Sequence, residues 1–124
     1  MNEIKDSSRD NFQKVMHGNS AVKYIEHLGD DVYLIERTEE RPSLKIRIAS
    51  IYIMGCGDVF EITAQNEDID AIVLVGYCDK YSNEAKKTAK DNGFALFTLS
   101  EFMGALHRTG KSFMNYVPRS KKDN

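Results

Sequence analysis

Gly76-Tyr77-Cys78-Asp79-Lys80-Tyr81-Ser82 follows directly on the apolar run Ile72-Val73-Leu74-Val75. In parallel α/β units the crevice beyond the carboxyl end of a strand is the usual ligand position, because the next helix presents unpaired N–H groups there. Gly76 permits close backbone approach, Tyr77, Lys80 and Tyr81 offer stacking and hydrogen bonding, and Ser82 caps the following helix. A phosphate or nucleotide contact is the chemistry these types suit. A plain turn at Gly76 and a helix staple at Tyr81 account for them equally, and no Gly-x-Gly-x-x-Gly or Walker-type lysine accompanies them.

Other reactive types are scattered. Cys56 stands between two glycines, where a thiolate near a helix start would be favoured, yet no partner base is evident and a small buried filler explains it as well. Cys56 and Cys78 fit neither a disulfide framework nor a zinc site, and His17, His27 and His107 stand at no metal-ligand spacing. Lys45 and Arg47 form a short basic stripe on one strand face, suited to a phosphate backbone or simply to water.

The elements that must position these residues read off in order. Phe12, Val15, Met16, Val22, Ile25 and Leu28 recur at three- and four-residue steps, which predicts a helical region from about Ser8 to Leu28, interrupted at Gly18-Asn19-Ser20 and stopped at Gly29. Val32–Arg37 and Leu44–Ala49 alternate as two strands of a hairpin around a charged, proline-bearing loop, with a bulge or strand end at Ser50-Ile51. Asp58 caps a short helix turning Val59, Ile62 and Phe60 inward. Ile72–Val75 is a strand buried on both faces. A helix with the small stripe Ala85, Thr88 and Ala89 follows and ends at Gly93, then a strand from Phe94 to Phe97. Thr98 and Glu101 form a capping box for a last helix anchored by Phe102, Met103 and Leu106. The expectation is a single three-layer α/β domain over residues 1–110, order αββαβαβα. Its mixed sheet has an antiparallel N-terminal hairpin and a parallel C-terminal β-α-β. Residues 111–124 read as a basic, mobile tail.

The 124 residues are 41% hydrophobic and 29% charged, a globular composition. No apolar run reaches the roughly 20 residues of a membrane span, and the polar start lacks a signal-peptide core, so the expected location is the cytoplasm and no membrane partner is expected. A net charge of −2 supplies no global pull toward nucleic acid.

The segment Asp70–Leu106 resembles the C-terminal half of Mrr-type domains in the restriction-endonuclease-like nuclease superfamily. Val73, Leu74, Val75, Tyr81, Ser82, Ala85, Ala89, Gly93, Phe94, Leu96, Phe97 and Phe102 fall in the family's places, and the stretch from Gly29 through Arg37 fits its first strand loosely. The resemblance implies a nuclease scaffold and a role in DNA processing or phage defence. It also implies an acid followed on the next strand by Glu/Asp-x-Lys, the carboxylates holding magnesium and the lysine steadying water and phosphate. Here Lys45 has Ser43 two places before it, and Glu36 is followed at plus two by Thr38.

Three readings follow. The first is a catalytically degenerate member of that superfamily serving as a binding or regulatory module, with nucleic acid as the partner and no cofactor. The second is a magnesium-dependent nuclease with a rearranged site of Asp31, Glu36 and Lys45, the two acids as metal ligands. The third is an unrelated ligand-sensing or protein-interaction domain, with Phe102, Met103, Leu106 and Phe113 as an exposed seam for a protein partner or second copy.

Overall fold

The computed structural model describes residues 3–65 and 68–118. Helix α1 (Asp6–His17) precedes strands β1 (Val22–Gly29), β2 (Val32–Arg37), β3 (Leu44–Ala49) and the short β4 (Ile53–Met54). Helix α2 (Cys56–Gln65), strands β5 (Ala71–Leu74) and β6 (Lys80–Tyr81), helix α3 (Asn83–Asp91) and strand β7 (Ala95–Thr98) follow, then helices α4 (Leu99–Ala105) and α5 (Gly110–Met114). The main sheet has the order β1-β2-β3-β5-β7. Its first two pairings are antiparallel, and the β3–β5 and β5–β7 pairings are parallel.

Period-two alternation on the central strands divides the apolar residues into two cores, one on each sheet face. Tyr33, Ile35, Ile46, Ile48, Val73 and Phe97 turn toward one face, where Phe12 and Met16 of α1, Phe102 of α4 and Phe113 of α5 close over them. Ile72, Leu74 and Leu96 turn the other way, against Val59 and Ile62 of α2 and Ala85 and Ala89 of α3. The result is the expected three-layer α/β arrangement around a mixed sheet. The element order is richer than αββαβαβα.

The second half of the expected first helix is the edge strand β1. The apolar spacing of Val22, Ile25 and Leu28 imitates a helix face because β1 carries register shifts between Val22 and Tyr24 and again between His27 and Gly29. Each shift inserts a residue into the ladder and resets which way the side chains point. Val22 and Ile25 therefore both pack on the α1-side core although three residues apart. Most of β1 is exposed, so little burial enforces alternation there. The pair β4–β6 joins the loops after β3 and β5 in parallel, Ile53 opposite Lys80 and Met54 opposite Tyr81. In α2, Val59 and Ile62 are buried as expected, but Phe60 lies on the exposed face.

Residues 111–114 of the expected tail belong to α5. Phe113 of α5 meets Phe97 and Phe102 edge-on, with ring centroids 5.3 and 6.5 Å apart. The buried Arg37 holds this region: its guanidinium donates to the carbonyls of Pro42 at 2.7 Å, Leu106 at 3.0 Å and Arg108 at 2.7 Å. Burial, and after it neighbouring Arg41, lowers the Arg37 pKa from its ordinary value. Phe102, Leu106 and Phe113 are therefore core residues and not an exposed seam; Met103 alone of the four is exposed. Residues 119–124 of the expected tail lie outside the described residues.

Candidate ligand-binding clefts at the carboxyl ends of the parallel strands

The rearranged nuclease trio does not assemble. Asp31, just ahead of β2, accepts a hydrogen bond and ion pair from the Arg9 guanidinium of α1, which raises the Arg9 pKa. It therefore lies on the α1 side of the sheet. Glu36 stands five residues on, an odd number, so alternation turns it to the opposite face, and about 3.3 Å per residue puts it roughly 16 Å away along the strand. Two ligands of one magnesium ion each sit about 2.1 Å from it. Lys45 lies opposite Leu34 in the β2–β3 register, which places it on the Glu36 face, away from Asp31. Among the described residues no group of three His, Cys, Asp or Glu could hold a metal ion. The residues called for magnesium do not fit it.

Arg47 shares the Lys45 face and donates to Gln65 Oε1 of α2 at 2.9 Å, so it is engaged against the end of that helix. The loop Gly76–Ser82 does sit beyond the carboxyl end of β5, but its residues divide between two clefts. Gly76 is there because of close approach: a Cβ would overlap the Asp79 carboxylate and the Ser50 hydroxyl. Asp79 Oδ2 accepts the Gly76 N–H at 2.8 Å and closes the turn. Gly76 and the fully exposed Tyr77 line a cleft of about 400 Å³ together with Lys5, Ser7, Ser8 and Ser50. The first turn of α1 opens there without a side-chain cap. Ser82 has the capping role foreseen for it, accepting the Ala85 N–H at 3.1 Å.

Lys80 and Tyr81 line the second cleft, about 440 Å³, beyond the end of β7. Its floor is a hydrogen-bonded cluster. Glu101, only 3% exposed, receives the Tyr81 hydroxyl 2.8 Å from each carboxylate oxygen. Its Oε1 also accepts the Thr98 N–H at 3.0 Å, completing the capping box of α4. Burial first, and the bond to Glu101 second, push the Tyr81 phenol well above its usual pKa. Lys86 reaches back from α3 to donate to the Leu96 carbonyl at 2.6 Å, its ammonium 5.1 Å from the Tyr81 ring centroid and 4.4 Å from that of Phe97. Tyr116 and Val117 line the same cleft from the C-terminal segment. A smaller depression of about 390 Å³, lined by Gly76, Tyr77, Asp79 and Thr98, adjoins both.

Sequence reasoning found Tyr81 and the Thr98–Glu101 capping box but not their union. A capping glutamate is ordinarily a surface residue, and only the tertiary approach of β6 to α4 brings a phenol onto it. Lys86 and Tyr116 carried no signal, since a helix lysine usually faces water. Cys56, half-buried, accepts a hydrogen bond from the Thr88 hydroxyl at 3.3 Å, and Cys78 is exposed.

Compared with protein-family models, curated proteins and solved structures, the chain gives no significant match. Among the described residues no helix is long and apolar enough to cross a membrane.

Proposed function

We propose that the chain is a restriction-endonuclease-like domain that has lost its cutting centre and serves as a nucleic-acid-binding module. The observation that carries this reading is the separation of the acids: Asp31 is spent on Arg9 on one sheet face, and Glu36 points from the other. Consistent with it is a sheet whose antiparallel front leads into parallel β3, β5 and β7, the layout expected from the hairpin and the β-α-β unit of the sequence. In this reading the cleft beside Gly76 receives the strand. Lys5 and the hydroxyls of Ser7, Ser8 and Ser50 meet phosphate oxygens, beside the carboxylates of Glu3 and of Asp79, the latter turned onto the Gly76 N–H, and the Tyr77 ring offers a stacking surface.

Fluorescence anisotropy with a labelled short single strand and the matching duplex tests the reading. Binding that weakens as salt rises is expected, with Tyr77→Ala costing about fivefold or more in affinity. Absence of binding to either probe at low salt refutes it. A second reading, a ligand-sensing α/β domain, is favoured by the cleft at Tyr81.

A further inference from the structure

The outermost strands of the main sheet, β1 and β7, are finished differently. On β7 the Leu96 carbonyl accepts the Lys86 ammonium at 2.6 Å. On β1, among the described residues, no hydrogen bond from outside the β1–β2 ladder reaches the main chain between Tyr24 and His27. An antiparallel strand directs alternate N–H and C=O groups outward, so this edge presents unpaired donors and acceptors to an added strand.

The register fixes what surrounds that row. Pairing runs without a shift from Tyr24–Glu36 to His27–Tyr33, and the shifts on either side confine the regular edge to these four residues of β1, about 13 Å long. Tyr24 and Glu26 turn to one face, where Glu36, opposite Tyr24, joins them. Ile25 and His27 turn to the other face, Ile25 against the α1-side core and His27 stacked on Tyr33 with ring centroids 4.7 Å apart. The Tyr24 ring is half exposed. Among the described residues neither Glu26 nor Glu36 has an ion-pair partner, and the same holds for the exposed Asp30 and Glu40 in the loops before and after β2. Lys23 is the one lysine or arginine of the strand.

These charges decide the occupant. A second copy paired through β1 would set Glu26 and Glu36 against their own images, like charge near like. A strand with a cation at every second position meets them as opposite charges. We propose that β1 is a docking edge for an extended basic segment of a partner protein, added to the sheet as a further strand. The backbone of that segment pairs with Tyr24–His27. Its lysines or arginines meet Glu26, Glu36 and the face of the Tyr24 ring, and its intervening apolar side chains lie beside Ile25. None of these residues belongs to the cleft beside Gly76, and the proposal does not rest on the nucleic-acid reading.

The test is an amide-resolved NMR titration of the full chain with capped hexapeptides. One alternates lysine with valine, a second has glutamate for lysine, and a third is the lysine peptide N-methylated throughout. Expected with the lysine peptide are saturable shifts centred on Tyr24 to His27. The N-methylated peptide should bind at least about tenfold more weakly, since its backbone donors are gone, and the glutamate peptide should give no shifts there. Glu26→Lys combined with Glu36→Lys should cost about tenfold in lysine-peptide affinity. If that double variant fails to fold, the glutamate peptide on the unaltered chain reads the same charge preference. Absence of β1 shifts at millimolar lysine peptide overturns the proposal, as does an N-methylated or glutamate peptide that binds equally tightly. Shifts at Tyr24–His27 on concentrating the protein alone would make a second copy the occupant and overturn it too.

Discussion

The Tyr81 hydroxyl oxygen lies 2.8 Å from each carboxylate oxygen of Glu101, and that carboxylate is almost wholly removed from water. The pair ties the loop after β5 to the first turn of α4. A buried carboxylate stripped of a donor pays for its desolvation, a loss of about 1 to 3 kcal/mol. Tyr81→Phe is therefore expected to lower the unfolding free energy by that amount, read by urea denaturation with an unchanged denaturant slope. Stability equal to wild type would mean the pair contributes nothing.

The same pair sets a pH dependence. The folded state holds the Tyr81 phenol above its ordinary pKa, through burial first and Glu101 second. Its contribution is complete below the unfolded value of about 10 and is lost as pH rises through the folded value. The stability gap between wild type and Tyr81→Phe should accordingly be constant through neutral pH and shrink above about pH 10. Paired denaturation curves across that range check it; a gap that widens there contradicts the assignment.

Gly104 and Tyr116 should be coupled. Gly104→Ala alone gains helix preference but drives a methyl into the Tyr116 hydroxyl, with a net loss of about 1 kcal/mol or more. In a Tyr116→Ala background the same change should stabilise, because the collision is gone and the helix preference remains. A double-mutant cycle by thermal unfolding reads the reversal of sign.

Arg37 is the anchor of the C-terminal segment. Arg37→Met keeps an apolar stem of similar length but leaves the carbonyls of Pro42, Leu106 and Arg108 without their donor. A loss of about 3 kcal/mol is expected, with earlier proteolytic cleavage after Ala105. Unchanged protease resistance of residues 106–118 would show that α5 holds itself in place.

What the sequence made legible follows from how strongly burial constrains each segment. Ile72–Leu74 and Leu96–Phe97 are sealed by helices on both faces, and their apolar runs announce the parallel strands plainly. The Ser82 and Thr98 caps were readable because capping is a local bond between side chain and backbone. β1 was not, because its bulges turn a strand's period into something close to a helix's, and its exposure removes the penalty that would keep alternation clean. α5 was hidden by the basic, proline-broken sequence around it, since a single phenylalanine, Phe113, supplies its buried contact. The Gly76–Ser82 loop was correctly placed at the end of a buried strand. Its division between two clefts depends on the β4–β6 pairing, which two residues of sequence cannot signal. Asp31, Glu36 and Lys45 looked able to converge only while the direction of each side chain was open.

The proposal that this scaffold holds nucleic acid without cutting it is tested most directly on one labelled DNA sample in magnesium buffer. Anisotropy reports binding, and a denaturing gel of the same sample reports strand integrity over time. Bound and intact DNA is expected, unaffected in length by Glu36→Ala. Magnesium-dependent cleavage that disappears in Glu36→Ala would contradict it.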